Sequence, residues 1–227
     1  MPTRLLVRPM TSSFNFDGTD TVITAGDNSA HNFTTAMSIA AWIKPTSAGE
    51  GSLGRIVEKN GSTSKGWIFA LNDSLVDDGI LFSRSGINKS SNAEVIKYGV
   101  WQHIVTAFNN VSTIFYVNGV AAGSVAEVAE LTSEASTLRI GDRGAGGRAF
   151  KGKMRDIMIW NVKLDATQVS ALYFNNIIPA TGLVSHWKFD DNTGTSLTDS
   201  VGGYTGTITA GSGGWSVDIP MKLRTVI

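Results

Sequence analysis

The sequence predicts an all-β fold, an antiparallel two-sheet jelly-roll sandwich with one short helix near residues 165–174. Short strand-like segments recur along its 227 residues, and Gly, Asn or Ser bounds most of them. Its 25 glycines and five prolines suit many strands joined by tight turns. Because only one segment has a helical pattern, the strands are expected to bury their apolar faces against each other in two layers.

The first half of the chain is interpreted as a series of strands. Residues 12–18 alternate between apolar and polar side chains and end in a turn. Residues 37–45 place four apolar side chains on one face and end at Pro45, which has no N–H to donate to a sheet. Three further strand-like segments follow, each bounded by Gly, Asn or Ser, at residues 54–60, 66–72 and 79–85.

The clearest pair of strands lies at residues 101–120. Two runs rich in β-branched and aromatic residues flank Asn109 and Asn110. The dipeptide Asn118-Gly119 then predicts a tight turn, because both residues tolerate the positive φ angles that hairpin turns require. We therefore expect an antiparallel hairpin in this segment.

Residues 137–161 have the pattern of a strand, a Gly-rich loop and a longer strand. The next segment, residues 163–174, is the one that looks helical. Asp165 can cap its N-terminus, and two asparagines follow its last periodic residue. Three of its apolar residues fall on one side, namely Val169, Leu172 and Tyr173. A short helix packed on a sandwich is the expectation.

Charge and cysteine content exclude several classes of function. The 19 basic and 19 acidic residues balance, so no global field draws the protein to nucleic acid or to an anionic membrane. Without cysteine, thiol catalysis, disulfides and Cys-ligated zinc are excluded. The N-terminal segment lacks the run of about seven apolar residues that a signal peptide needs, and no stretch approaches the roughly twenty of a membrane helix. We expect no membrane insertion.

Three motifs resemble those of laminin-G-like domains in the concanavalin A-like lectin/glucanase superfamily. Residues 101–120 resemble the family's Trp-x-His hairpin that ends in Tyr-Val-Asn-Gly. Residues 138–173 are similar to its closing segment, with an Ile-Gly, a variable loop, a Phe-x-Gly, an Asp and a short helix. Residues 14–23 are similar to its opening strand and turn. Together the motifs cover residues 14–174 in the expected order, and the resemblance implies a jelly roll.

One segment departs from the order of the family. Residues 182–208 resemble a segment that commonly precedes the opening strand, but here they follow the helix. We therefore interpret residues 1–13 as an N-terminal extension and residues 14–227 as a single jelly roll, with 183–209 as a permuted or appended strand pair. Since an exposed strand edge is a template for pairing, this segment could complete its own sandwich or that of a neighbouring subunit.

A structural calcium ion is a further implication of the resemblance. The family commonly holds calcium between its opening turn and its closing strand, and the matching positions are Asp17, Gly18 through its carbonyl, and Asp156, with Asp20 nearby. Calcium prefers such oxygen ligands. The alternative for Asp156 is an ion pair with a neighbouring basic residue or plain solvation.

The acidic run that begins at Asp190 resembles the start of a calcium-binding loop. It lacks the glutamate at the twelfth position of such a loop and also lacks flanking helices. A turn that is held by side-chain hydrogen bonds is therefore the preferred interpretation.

The resemblance also implies sugar binding, which needs an aromatic face for stacking and polar groups for hydroxyls. The segments interpreted as loops supply the candidate ligand-binding residues, which are Trp67, Arg84, Asn88, Tyr98, Arg143 and Arg148. Nothing in the sequence singles out one loop among them. The ligand class, a glycan or cell-surface polysaccharide, is thus an implication of the family.

Evidence for an enzyme is weak. Glucanases of this superfamily carry their acid and nucleophile in a Glu-x-Asp-x-x-Glu pattern, and none of the six glutamates of this chain lies in one. His103 is the best lone catalytic candidate, but its place in the hairpin motif favours a packing role. We therefore identify no catalytic residues.

The preferred function is a non-catalytic, lectin-like domain that binds carbohydrate or another surface ligand. Its size and the lack of a recognisable signal peptide suggest a bacteriophage virion surface or tail protein, or an extracellular location. Two alternatives stay open: a structural or decoration subunit without a glycan ligand, and a polysaccharide hydrolase or lyase. A homo-oligomer is compatible with the first two interpretations, and no nucleic-acid partner is expected.

Overall fold

The structure, a computed structural model, describes residues 12–61, 65–72, 76–126, 132–209 and 211–220. Two antiparallel sheets pack face to face, and one short helix lies against the outside of the first sheet. The predicted all-β jelly-roll sandwich is confirmed. Most of the predicted N-terminal extension lies outside the described residues, and Ser13 already begins the first strand.

The first sheet has eight strands within the described residues. Seven of them follow one path, in the spatial order β10 (Val120–Ala126), β9 (Ser112–Val117), β8 (Gln102–Asn109), β3 (Ala36–Pro45), β12 (Lys151–Trp160), β1 (Ser13–Asp17) and β16 (Gly214–Ser216). The eighth, β13 (Leu183–Trp187), pairs with β12. All of these pairings are antiparallel.

The second sheet also has eight described strands. Their spatial order is β14 (Ser196–Leu197), β15 (Gly206–Thr209), β2 (Val22–Thr24), β11 (Arg139–Ile140), β4 (Arg55–Lys59), β5 (Trp67–Asn72), β6 (Gly79–Arg84) and β7 (Ile87–Ser90). The strands β1, β3, β4, β5 and β6 lie within or overlap the strand-like segments that the sequence predicted.

The main core lies between the two sheets. On β3, Met37, Ile39 and Ile43 are completely buried and face the second sheet, as the alternation of the strand predicts. Phe69 of β5 and Phe82 of β6 face them from the other side and are also completely buried. Burial of such side chains contributes about 2 kcal/mol each, which makes this layer the main source of stability.

The predicted hairpin is confirmed, with a tight turn at Asn118 and Gly119 between β9 and β10. Their φ angles are +51° and +80°, the positive values that a two-residue hairpin turn requires. The Asn118 side chain also accepts a hydrogen bond from the backbone N–H of His103. This bond ties the turn to the beginning of β8.

The helix, α1 (Ala166–Asn175), packs on the outer face of the first sheet. Asp165 forms a capping box with Gln168, in which each side chain accepts a hydrogen bond from the other's backbone N–H. Val169 and Leu172 are buried against apolar residues that β3, β8 and β12 present on this side. The helix therefore covers the outer face of the first sheet locally. No described helix is long and apolar enough to cross a membrane.

The segment at 183–209 pairs with strands of its own chain. β13 joins the first sheet beside Ile157–Trp160 of β12, whereas β1 pairs with residues 151–154 of the same strand and on the same side. β13 thus continues the line of β1 beyond a bulge in β12. β14 and β15 instead extend the second sheet next to β2. The segment is divided between the two layers.

Candidate functional site

An open cleft of about 250 Å³ lies on the outer side of the second sheet, at the end of β4. Its lining combines polar and charged side chains with small residues. The lining residues are Arg55, Glu58, Asn60, Gly61, Arg143, Gly144 and Ala145. Two of them belong to β4 itself, and three belong to the Gly-rich loop between β11 and β12.

A bulge in β4 places two charged side chains on the same face. In a regular strand, residues three apart such as Arg55 and Glu58 point to opposite faces. The register between β4 and β5 shifts between Arg55 and Val57, which inserts one extra residue. Ile56 and Val57 both pack in the core, while Arg55 and Glu58 both face the cleft. The bulge therefore creates the charged floor of the site.

Arg55 and Glu58 form a buried ion pair. Arg55 Nε donates to Glu58 Oε2 at 3.1 Å, and the two residues are only 8% and 2% exposed. Burial lowers the pKa of Arg55, and the field of Glu58 counteracts this shift. Burial likewise raises the pKa of Glu58, although Arg55 and the backbone N–H of Gly144 oppose that change. The pair is costly to desolvate and depends on both of its members.

Arg139 lies directly opposite Glu58 in the pairing of β11 with β4. Its field lowers the pKa of Glu58, which shows that its charge reaches the cleft floor. Its Nη1 donates to the backbone carbonyl of Thr137 at 3.2 Å, a neutral acceptor. The carboxylate of Glu58 is thus flanked by two guanidinium groups, that of Arg55 on the same strand and that of Arg139 on the paired strand β11.

The Gly-rich loop is anchored at its base by Asp142, which is 4% exposed. Asp142 Oδ1 accepts hydrogen bonds from the backbone N–H groups of Arg143 and Arg148, at 2.7 and 3.1 Å. Glu50 Oε2 accepts a third bond, from the N–H of Ala149. The carboxylates of Asp142 and Glu50 thus bind backbone N–H groups and hold the conformation of the loop. Within the described residues they form no ion pair with the arginine side chains of the loop.

Those arginine side chains bind backbone carbonyls instead. Arg143 Nε donates to the Gly146 carbonyl at 2.5 Å, and Arg148 Nη1 donates to the Gly147 carbonyl at 3.1 Å. Neither arginine forms an ion pair within the described residues. A carbonyl oxygen satisfies a donor but does not neutralise its charge. The rim of the cleft is therefore positive.

Arg55 carries one unused donor. Its Nη1 is buried and has no hydrogen-bond partner among the described residues. A buried donor without a partner costs about 1–3 kcal/mol, more when it is charged. Arg55 also lines the cleft, so this unpaired donor belongs to a side chain at the candidate site.

Two of the predicted ligand-binding residues lie at this site. Arg143 lines the cleft, and Arg148 lies on the same loop, half-buried beside it. Asn88 and Tyr98 lie elsewhere: Asn88 is exposed on the edge strand β7, and the hydroxyl of Tyr98 donates to Asp78 Oδ1 at 2.5 Å. The structure does not bring these four residues together.

The remaining two predicted residues lie inside the sandwich and not in loops. Trp67 begins β5, is 1% exposed, and its Nε1 donates to the carbonyl of His31. Arg84 ends β6, is 1% exposed, and its guanidinium lies 5.2 Å from the centre of the Phe108 ring. Both side chains point inward because they share the face of Phe69 and Phe82. Trp67 thus has no free ring face for stacking on a sugar.

The four predicted calcium ligands do not converge on one point. Asp17 pairs with Lys151, and Asp156 lies five residues further along β12, roughly 15 Å away at the spacing of a strand. Asp156 Oδ1 is instead 2.5 Å from His186 Nε2. The described residues contain no group of three potential metal-ligating side chains of His, Cys, Asp or Glu. The expectation that Asp156 joins Asp17 at one ion is corrected by this geometry.

The opening turn is held by hydrogen bonds from backbone and hydroxyl donors to the carboxylate of Asp17. Asp17 Oδ1 accepts hydrogen bonds from the N–H groups of Thr19, Asp20 and Thr21, and Oδ2 accepts two from Ser212. Burial raises the pKa of Asp17, but the backbone bonds outweigh it and hold that pKa well below its ordinary value. Calcium at this turn stays a prediction for the residues Asp17, Gly18 and Asp20.

The second acidic segment forms a hydrogen-bonded turn, as interpreted. Asp199 Oδ1 accepts from the backbone N–H groups of His186, Val201 and Gly202, and Oδ2 accepts from Tyr204. These bonds fasten the segment to β13 and occupy the carboxylate. These hydrogen bonds to nearby backbone N–H groups therefore account for the position of the Asp199 carboxylate.

Sequence reasoning missed Arg55 and Glu58. The only signal for them was the pattern Arg-Ile-Val-Glu-Lys, in which two charged residues three apart enclose an apolar pair. Such a pattern does not alternate, and it indicates a bulge only when the pairing of the neighbouring strand is known. His103, the lone catalytic candidate, is 1% exposed and lies beside Trp42 and Tyr173 under the helix, in accord with a packing role.

Comparison with known proteins supports the assignment of the fold. Residues 17–170 match the family model of the concanavalin A-like lectin/glucanases superfamily. This match covers more than half of the chain and includes both β4 and the Gly-rich loop. The motifs noted in the sequence are therefore part of a recognised family pattern.

Three solved structures show the same architecture. A "putative carbohydrate binding protein" from Bacteroides ovatus aligns with a TM-score of 0.76 at 19% identity, over 95% of this chain and 62% of that one. The heptameric SAP-like pentraxin of Limulus polyphemus gives 0.62 at 16%, over 87% and 95%. The CBM40 domain of the Ruminococcus gnavus IT-sialidase, bound to α2,3-sialyllactose, gives 0.54 at 10%, over 71% and 96%. At these identities the likeness establishes the fold, and the chain spans less than two thirds of the Bacteroides protein.

Proposed function

The chain belongs to the concanavalin A-like lectin/glucanase superfamily, and from this premise we propose that it is a non-catalytic carbohydrate-binding domain whose ligand occupies the cleft beside β4. The cleft is the observation that carries the proposal. Its guanidinium groups offer donors to sugar hydroxyls, and Glu58 and Asn60 offer acceptors. Its small residues, Gly61, Gly144 and Ala145, leave space for a ring.

The structural neighbours add support of a general kind. Two of the three are described as binding carbohydrate, and the CBM40 domain was solved with a sialylated sugar. The same sandwich therefore serves glycan recognition in proteins that share little sequence with this one. A volume of about 250 Å³ lies below the range of about 300–1,000 Å³ that is usual for drug-sized ligands, which favours one sugar residue of a longer chain.

The composition of the cleft supports binding over catalysis. Glycoside hydrolysis commonly needs two carboxylates, about 5–9 Å apart, that act as acid and as base or nucleophile. Within the described lining, Glu58 is the one carboxylate, and Arg55 engages it in an ion pair. A buried and paired carboxylate is poorly placed to exchange protons with a substrate. The hydrolase or lyase alternative has no comparable support.

A structural subunit is the second candidate, and the edge of the first sheet favours it. β10 has a partner on one side only within the described structure. Val120 at its beginning is 63% exposed, and Phe174, which approaches the neighbouring Gly119, is 62% exposed. An exposed edge beside apolar side chains is a surface that another chain can cover. A location on a virion or outside a cell stays part of the proposal.

A glycan array of the purified protein tests the proposed function. The array is probed with wild type and with Arg143→Gln, each in calcium and again in chelator. We expect hits with wild type that decrease with Arg143→Gln, since Arg143 lines the cleft. An array without hits in both conditions, together with a defined oligomer in solution, would replace the lectin assignment by that of a structural subunit.

A further inference from the structure

The charged residues of the cleft indicate which class of ligand it can bind. Its lining includes two arginines, Arg55 and Arg143, and one glutamate, Glu58, and the carboxylate of Glu134 lies beside it, where it accepts a hydrogen bond from the N–H of Gly61. Arg139 and Arg148 lie around this set, and each donates to a backbone carbonyl. Within the lining the arginines outnumber the glutamate by one, so an anionic group of a ligand has a guanidinium to pair with that Glu58 does not engage.

Glu58 binds one nitrogen of the Arg55 guanidinium and leaves another without a partner. It occupies the Nε of Arg55 at 3.1 Å and fixes the plane of the guanidinium from the strand side. Nη1 remains buried without a partner in the described residues. A guanidinium that is held rigidly by one carboxylate and has a free donor is prepared to bind a second, planar oxyanion. Side-chain entropy has already been lost in the ion pair, so the ligand does not have to order Arg55.

Arg143 approaches from the opposite wall. Its Nε is fixed by the carbonyl of Gly146, and its backbone N–H is fixed by Asp142. Asp142 Oδ1 accepts from the backbone of the loop, and no ion pair joins its carboxylate to the Arg143 side chain within the described residues. The two lining arginines are thus both oriented by the protein, one from the strand and one from the loop.

We infer that the cleft binds the carboxylate of an acidic saccharide, with Arg55 Nη1 and the Arg143 guanidinium as its cationic contacts. This inference rests on the proposed function and specifies its ligand. The sugar ring lies against Gly61, Gly144 and Ala145, which line the cleft without bulky side chains of their own. Glu58 does not contact the ligand carboxylate, and it acts as the residue that positions Arg55.

The test compares acidic polysaccharides with their own neutral forms. The probes are polygalacturonate, alginate and polysialic acid, each beside its carboxyl-reduced derivative, with dextran sulfate as a separate oxyanion and neutral dextran as a background. We expect wild type to bind at least one carboxylated polymer and to lose that binding after carboxyl reduction. Binding should also weaken as sodium chloride is raised, because charged contacts are screened.

Variants then assign the binding to the cleft. Titration calorimetry with an oligosaccharide of the best probe should show about tenfold or greater loss of affinity for Arg143→Gln, which removes a charge-assisted contact. Lys97→Gln is the control, since it removes a positive charge from an exposed residue outside the lining of the cleft, and its affinity should stay within about threefold. Glu58→Gln should bind the acidic probe more weakly, because Arg55 loses the carboxylate that fixes its guanidinium, and the thermal unfolding of this variant is compared with that of wild type.

Each outcome separates the inference from the function on which it rests. Equal binding of carboxylated and carboxyl-reduced glycans would keep the carbohydrate-binding function and overturn the inference. Binding of dextran sulfate alone would assign sulfate to the cleft and equally overturn it. Unchanged binding of the acidic probe by Glu58→Gln, in a variant whose thermal unfolding matches wild type, would show that Glu58 does not position Arg55 for the ligand. No binding of any probe, together with an array without hits, would overturn both.

Discussion

His186 Nε2 lies 2.5 Å from Asp156 Oδ1, and this contact joins β13 to the bulge of β12. Asp156 has a φ of +54°, and its side chain is 13% exposed. Burial raises the pKa of Asp156, but the hydrogen bond and charge of His186 outweigh it and lower that pKa below its ordinary value. The bulge thus turns the carboxylate of Asp156 toward β13, which follows β12 in the chain.

Asp156→Asn should destabilise the protein by about 1–3 kcal/mol, because it keeps the shape of the side chain but removes its charge from His186. The measurement is urea denaturation near neutral pH, with Asp20→Asn as a control in an exposed turn. The contribution of Asp156 is present above its unfolded pKa of about 3.8 and is lost as the pH falls through the lower folded value. Equal stability of both variants would argue against the pair.

His31 should make the protein less stable in mild acid. It is completely buried, and burial lowers its pKa from 6.5 to about 4, although Asp199 opposes the shift. Between these values the unfolded chain binds a proton that the folded protein does not. Stability should therefore fall by on the order of 3 kcal/mol as the pH drops from about 6.5 to 4.

The test of His31 uses urea denaturation at a series of pH values. His31→Gln loses the ring packing against Trp187 and Tyr204, so its stability will be lower throughout. Its dependence on pH in this window should nevertheless be shallower than that of wild type. Parallel curves for the two proteins would show that His31 does not titrate as described.

Glu58→Ala should cost about 3–5 kcal/mol of stability, because it leaves the charge of Arg55 buried without a partner. The double variant Arg55→Met with Glu58→Leu removes both charges and should recover most of that loss. Thermal and urea unfolding of wild type, Arg55→Met, Glu58→Leu and the double variant complete the cycle. A double variant as unstable as the sum of the single variants would show that the pair has no coupling.

Calcium should have little effect on stability if the opening turn is held by its own hydrogen bonds. Five N–H or O–H groups already donate to Asp17, and donors point their hydrogens toward the place that a cation would occupy. We expect the Tm in calcium and in chelator to agree within about 1 °C, since a ligand of the folded state would raise it by mass action. A rise of several degrees that Asp20→Asn abolishes would assign calcium to this turn.

The elements that sequence reasoning located are those whose pattern is local. β3 alternates along its length, Asn118-Gly119 requires positive φ, and Asp165 caps a helix with Gln168 three residues later. Each of these signals depends only on neighbours in the chain. The Gly-rich loop was recognised for a similar reason, and Arg143 of this loop lines the cleft.

The parts that were missed depend on pairing between strands. Trp67 was named as a loop candidate although it stands in the strand-like segment 66–72, and its register with Arg84 puts both residues on the inner face. The bulge that brings Arg55 beside Glu58 follows from the match of β4 to β5. Asp156 reaches His186 only because β13 pairs with β12. Contacts of this kind are not encoded within any short window of sequence.

The pairing of β1 with β16 also determines how the domain resists force. Ser13 lies opposite Ser216 at the outer ends of two antiparallel strands, so tension applied through these residues acts at the same end of the pair. The load then falls on one interstrand hydrogen bond at a time instead of on all of them in parallel. Stretching in an optical trap should detach β16 at low force, as a zipper opens, before the sandwich itself ruptures. The remaining strands would then bear the load as an intact mechanical unit.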